Sequence, residues 1–67
     1  MDAIDAEKAY QQGLRHARAT QGERHENLRR ALACYEVALQ YYTAETFPDR
    51  WKQIQQDMAE AYGEVVQ

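Results

Sequence analysis

Apolar and small residues recur along this chain at three- and four-residue steps, the period of one face of a helix. In the first stretch they fall at Ala3, Ala6, Ala9, Tyr10, Gly13, Leu14 and Ala17. In the second they fall at Leu28, Ala31, Leu32, Tyr35, Ala38, Leu39 and Tyr42, flanked by Cys34 and Tyr41. In the third they fall at Trp51, Ile54, Met58, Ala61, Tyr62 and Val65. Thr20-Gln21-Gly22 and residues 44–47 interrupt the pattern. The spacing predicts three helices, at about 2–20, 24–43 and 48–65. Asp2, Asp5 and Glu7 near the start of the first, and Arg15 and Arg18 near its end, suit the helix dipole. Gly22 can take the left-handed conformation that closes many helices. Pro48 fits the first position of the third helix, where its missing N–H costs nothing. Phe47, just ahead, could pack onto Trp51 or Lys52 as a hydrophobic staple. Connections this short make consecutive helices antiparallel. The expected fold is therefore all-α: three antiparallel helices in a helix-turn-helix array, one domain over residues 1–67.

Composition agrees. Good helix formers dominate, β-branched residues are few, and there are one Pro and three Gly, so a sheet is not expected. Length raises a different question. A chain of 67 residues buries only about 60% of the surface its unfolded form exposes. Cys34 is the single cysteine, and no Cys/His cluster suggests a metal, so neither staple is expected within one chain. Association, with its own copies or with neighbouring repeats, is the remaining route to extra stability. No run approaches the ~20 apolar residues of a membrane span. Met1-Asp2-Ala3-Ile4-Asp5 is acidic and has no apolar core segment, unlike a signal peptide. A cytoplasmic protein is expected, and a lone cysteine suits that reducing compartment.

One segment carries a family resemblance. Asn27-Leu28-Arg29-Arg30-Ala31-Leu32-Ala33-Cys34-Tyr35-Glu36-Val37-Ala38-Leu39-Gln40-Tyr41-Tyr42-Thr43 resembles the second helix of a tetratricopeptide repeat, with Ala31, Tyr35 and Ala38 at the family's small, aromatic and small positions. Small residues let two helices approach, and the aromatic fills the space between repeats. Phe47, Pro48 and Trp51 look like the opening of the next first helix in a long-linker bacterial variant. Met58-Ala59-Glu60-Ala61-Tyr62 resembles that helix's Leu-Gly-x-x-Tyr pattern, and Gln12-Gly13-Leu14-Arg15-His16 resembles it more weakly. The two places lie 46 residues apart, against about 34 in the standard repeat. The usual proline near Thr43 is absent, and Trp51 stands one turn early. The resemblance covers about one and a half repeats, residues 12–63. It implies a helical-repeat scaffold whose concave face binds peptides. It also implies partner-binding residues Tyr10, Leu14 and Arg18 on the first helix, with Gln53, Gln56 and Glu60 on the third. The same six residues equally fit an ordinary solvent-facing surface.

Candidate chemistry adds little. His25 lies among Glu23, Arg24 and Glu26 and reads as a solvated residue, while His16 reads as a half-buried ring. The chain has no Ser, and Cys34 on an apolar face without a neighbouring His reads as an inert thiol. His25-Glu26 lacks the second His of the helical zinc motif, and there is no glycine-rich phosphate loop. No catalytic residues, metal or cofactor are expected. Charge is more suggestive. Arg15, Arg18, Arg24, Arg29 and Arg30 face only Glu23 and Glu26, a local +3, while the rest of the chain carries −6. A basic end could meet phosphate, but it lacks interleaved aromatics and the chain is −3 overall. The same asymmetry favours stacking of copies. Five Tyr, one Trp and one Phe are many for so small a chain, and Tyr and Trp often anchor interfaces. The expected function is a non-catalytic protein-protein interaction scaffold, self-associating into a homo-oligomer or binding a partner peptide. The alternatives are a basic hairpin binding nucleic acid and an inactive repeat fragment of a longer solenoid.

Overall fold

The computed structural model describes residues 1–66. It is all-α, with α1 (Ala3–Arg18), α2 (Arg24–Ala38) and α3 (Pro48–Val65) and no strand among the described residues. α2 packs against both other helices, whereas the backbones of α1 and α3 scarcely meet. Contacts between α1 and the following segment run in opposite senses: Glu7 reaches Tyr42, Gly13 faces Tyr35, and Ala17 meets Arg24. That is the order of an antiparallel pair.

α1 begins at Asp2, whose carboxylate accepts the Asp5 N–H at 2.8 Å. It ends two residues sooner than the pattern predicts. Ala19 turns extended, and its N–H donates to the His16 carbonyl. Gly22 does take a positive φ of 85°, but inside the turn rather than as the cap of α1. The turn is held by Asn27, which is buried and donates Nδ2 to the Gln21 carbonyl at 2.8 Å. Glu23 caps α2 by accepting the N–H groups of His25 and Glu26, and these bonds hold its carboxyl below the usual range.

The larger difference is at the end of α2, which stops at Ala38 instead of continuing to Thr43. The Gln40 and Tyr41 N–H groups bond back three residues, to Val37 and Ala38, so the last turn tightens. Tertiary packing outweighs helix propagation here. Tyr41 stacks on Phe47 at 5.1 Å, Tyr42 meets Phe47 edge-on at 5.5 Å, and the Tyr42 hydroxyl donates to Glu7 at 2.6 Å. Phe47 thus packs back on the tyrosines, where the sequence pattern pointed it forward to Trp51 or Lys52. The Phe47 N–H donates to the Thr43 carbonyl at 2.9 Å, closing the turn that delivers Pro48 to the first position of α3.

The core is most of the predicted stripes, joined; Ala3, which is exposed, and Trp51 are not part of it. Ala6, Ala9, Tyr10, Leu28, Ala31, Leu32, Tyr35, Ala38, Tyr42, Ile54, Met58 and Ala61 form one buried cluster. Leu14, Ala17, Leu39 and Val65 pack on its margin. Tyr62 departs from its stripe and stays 47% exposed. Tyr35 sets the spacing of α1 and α2: its ring lies against Gly13, where a Cβ would stand 2.5 Å from Cε1. The folded chain exposes 4529 Å², close to the ~4,400 Å² typical of a compact 7.8 kDa monomer. Burial therefore does not by itself force association. No helix is long and apolar enough to cross a membrane among the described residues.

Candidate functional site

Because their backbones scarcely touch, α1 and α3 are joined by side chains. At one end Arg50 pairs with Glu7 at 3.2 Å and lies over the rings of Tyr10 and Tyr42, 4.7 and 5.7 Å from their centroids. Glu7 also accepts from Gln11 at 2.8 Å. Burial pushes the Glu7 carboxyl up, but the hydrogen bonds from Tyr42 and Gln11 and the Arg50 charge outweigh it and hold it low. In the middle, the Tyr10 hydroxyl donates to Asp57 at 2.5 Å, and Gln53 Nε2 donates to the other Asp57 oxygen at 3.3 Å. Burial, then the Asp57 carboxylate, raises the Tyr10 phenol well above its ordinary range. At the far end Arg24 bridges to Glu64 at 2.8 Å and to the Ala17 carbonyl at 2.5 Å.

Between the middle and far ties the two helices leave a cleft of about 170 Å³. Its apolar surface comes from Leu14, Ala17, Leu28 and Ala61, and its rim carries Arg18, Arg24, Asp57, Glu60 and Glu64. Tyr35 also lines it, although the residue is only 1% exposed. Burial raises the Tyr35 phenol to about 12, with the Asp57 charge adding to the shift and the Arg18 charge opposing it. A cavity of ~150 Å³ holds a benzene-sized group. The cleft therefore has room for one side chain, in a mostly charged lining with a small apolar area at Leu14 and Ala17.

The six residues implied as partner-binding divide. Leu14, Arg18 and Glu60 line the cleft together. Tyr10 lies beneath the surface, 3% exposed, with its hydroxyl committed to Asp57, so it is a structural tie and not a contact residue. Gln53 is exposed and reaches Asp57 from outside the cleft. Gln56 is exposed and is not part of the lining. Tyr35, Asp57, Arg24 and Glu64 also line the cleft and are not among the six. Tyr35 looks like pure core in the helical pattern, and Asp57 and Glu64 become visible only once α3 is laid beside α1. The five clustered arginines are not all free: Arg24 is held by Glu64, and Arg30 pairs with Glu26 at 3.4 Å. Cys34 is partly buried, and burial raises its thiol. His16 and His25 are both partly buried, His25 more so than a solvated residue.

A second surface stands away from the cleft. At about 100° per residue, Trp51, Gln55, Ala59, Tyr62 and Val66 fall within one sector of α3. Tyr62 is 47% and Val66 80% exposed, and no charged residue lies in that sector. The chain matches no family model, no curated protein and no solved structure.

Proposed function

We propose that this chain is a non-catalytic protein-protein interaction module of the tetratricopeptide-like, long-linker kind, working in the cytoplasm and receiving a segment of a partner protein between α1 and α3. The observation that carries this reading is the cleft: a concave space between α1 and α3 in which half-buried Leu14 and Ala17 stand among the charged Arg18, Asp57 and Glu60. The close seating of Tyr35 on Gly13 supports the helix-pair resemblance, since it uses a small residue to bring two helices together. The arginine cluster gives nucleic acid less support, with two of its five members already paired.

The test is an array of overlapping peptides probed with the chain and with an Arg18→Glu, Glu60→Lys variant. Both residues are exposed, so the variant folds. Peptides retained by the parent chain and lost by the variant support the reading. An array with no such peptide sinks it.

The uncharged sector of α3 favours a second, compatible reading, association of copies through Trp51, Tyr62 and Val66. Sedimentation at concentrations from about 10 µM to 1 mM tests it. Concentration-dependent dimer that Tyr62→Glu abolishes is expected, and a monomer throughout the range removes this reading.

A further inference from the structure

We propose that the cleft between α1 and α3 is selective for a basic side chain, arginine or lysine, of the segment it receives; the inference rests on the interaction reading and narrows it to one class of partner. The first support is the Tyr35 hydroxyl. Tyr35 is 1% exposed and lines the cleft, yet its hydroxyl makes no hydrogen bond among the described residues. No fully buried side-chain oxygen or nitrogen lacks a partner among those residues. The hydroxyl is therefore the part of Tyr35 that reaches the cleft, an unused polar group at its base. An accessible hydroxyl with no protein partner is a free donor and acceptor, open to a ligand's polar atom.

The second support is charge. Arg24 and Glu64 neutralise each other at 2.8 Å. Asp57 accepts only from neutral groups, the Tyr10 hydroxyl and the Gln53 amide, so its negative charge stays uncompensated by those bonds. Glu60 has no ion-pair partner among the described residues, and neither has Arg18. The uncommitted charges on the lining are thus two negative and one positive. The two carboxylates stand on α3 three residues apart, on one wall, while Arg18 is exposed on α1 and free to turn to solvent or donate to a backbone carbonyl of the segment. A lysyl or arginyl stem would lie on Leu14 and Ala17, the half-buried apolar residues of the lining, with its head between Asp57, Glu60 and the Tyr35 hydroxyl. An acidic head would meet the two carboxylates, and an apolar one would leave the hydroxyl unpaired.

The experiment uses tripeptide amides Ac-Ala-X-Ala-NH2, with X as Arg, Lys, citrulline, Leu or Glu, titrated into the ¹⁵N-labelled chain at 150 mM salt. Amide shifts of Leu14, Leu28, Tyr35 and Ala61 report the cleft. Saturable millimolar binding for Arg and Lys is expected, with citrulline and Leu at least fivefold weaker and Glu not binding. Tyr35→Phe keeps the fold, because the lost hydroxyl has no partner, and weakens the Arg peptide about tenfold. Glu60→Lys removes binding. Equal or tighter binding of Leu, citrulline or Glu overturns the selectivity but leaves the cleft as a peptide site. Arg binding untouched by both variants overturns it too. If no tripeptide moves the four amides, the cleft fails as a partner site altogether.

Discussion

Replacing Gly13 with alanine tests the close approach of α1 and α2 against the ordinary behaviour of a helical glycine. In a free helix the change is favourable by about 1 kcal/mol, because glycine is the costlier residue to order. Here the new Cβ would stand 2.5 and 2.7 Å from Cε1 and Cδ1 of Tyr35 and 3.2 Å from the Ala31 carbonyl oxygen. The ring cannot swing aside, since Tyr35 is packed within the core, and the carbonyl belongs to the α2 backbone. The helices must part by roughly an ångström, and overpacking of this kind costs typically 1–3 kcal/mol. With the new Cβ meeting both the ring and the α2 backbone, the upper part of that range applies, about 2–3 kcal/mol, so packing loss outweighs helix propensity for a net destabilisation of about 1–2 kcal/mol. For a chain of this length that lowers Tm by about 4–8 °C per kcal/mol. Gly63 is the internal control: nothing lies within 4 Å of a Cβ there, so Gly63→Ala should be neutral or stabilising by up to about 1 kcal/mol. Urea and thermal unfolding followed by circular dichroism at 222 nm measure both. In a Tyr35→Leu background the Gly13→Ala penalty should largely vanish, since the two sites are coupled by contact. A Gly13→Ala variant as stable as the parent, beside a stabilised Gly63→Ala variant, would refute the reasoning.

Arg50→Ala should cost about 1–2 kcal/mol, because it removes the pair to Glu7 and the guanidinium over Tyr10 and Tyr42 at once. Arg50→Lys should recover only part, and urea unfolding of both variants decides whether the planar group matters. At alkaline pH the folded chain keeps the Tyr35 proton to about 12 while the unfolded chain loses it near 10. Stability from this phenol is thus fully present below pH 10 and falls from 10 to 12. Chemical denaturation across that range should show the decline, and Tyr35→Phe should reduce it, leaving the share of Tyr10 and Tyr42, whose phenols are raised as well. At the acid end Glu7 is held low in the fold, so its contribution is present above the usual carboxylate range and is lost as pH falls through its folded pKa. Glu7→Gln should therefore narrow the acid transition.

The helices were legible from periodicity alone, because a stripe at Leu28, Ala31, Leu32, Tyr35 and Ala38 has no good use except burial on one side. Pro48 placed the start of α3 for an equally local reason. Helix ends were less legible where side chains from elsewhere compete. α2 stops at Ala38 because Tyr41 and Tyr42 have better partners in Phe47 and Glu7 than a further turn of helix would give them. The six residues implied as partner-binding do not share one place. Leu14, Arg18 and Glu60 share the cleft, whereas Tyr10 points into the core and finds Asp57, 47 positions along the chain.

By itself the sequence determined the number of helices, their inward faces and the all-α class, since these follow from the three- and four-residue spacing of apolar side chains. Only the tertiary structure decided that α1 and α3 stand apart, tied by Glu7 to Arg50 and Tyr10 to Asp57, with Arg24 of α2 pairing with Glu64 at the far end. Those ties join residues more than 35 positions apart and have no periodic signature. The cleft exists because they hold the two helices side by side over α2 without closing the space between them.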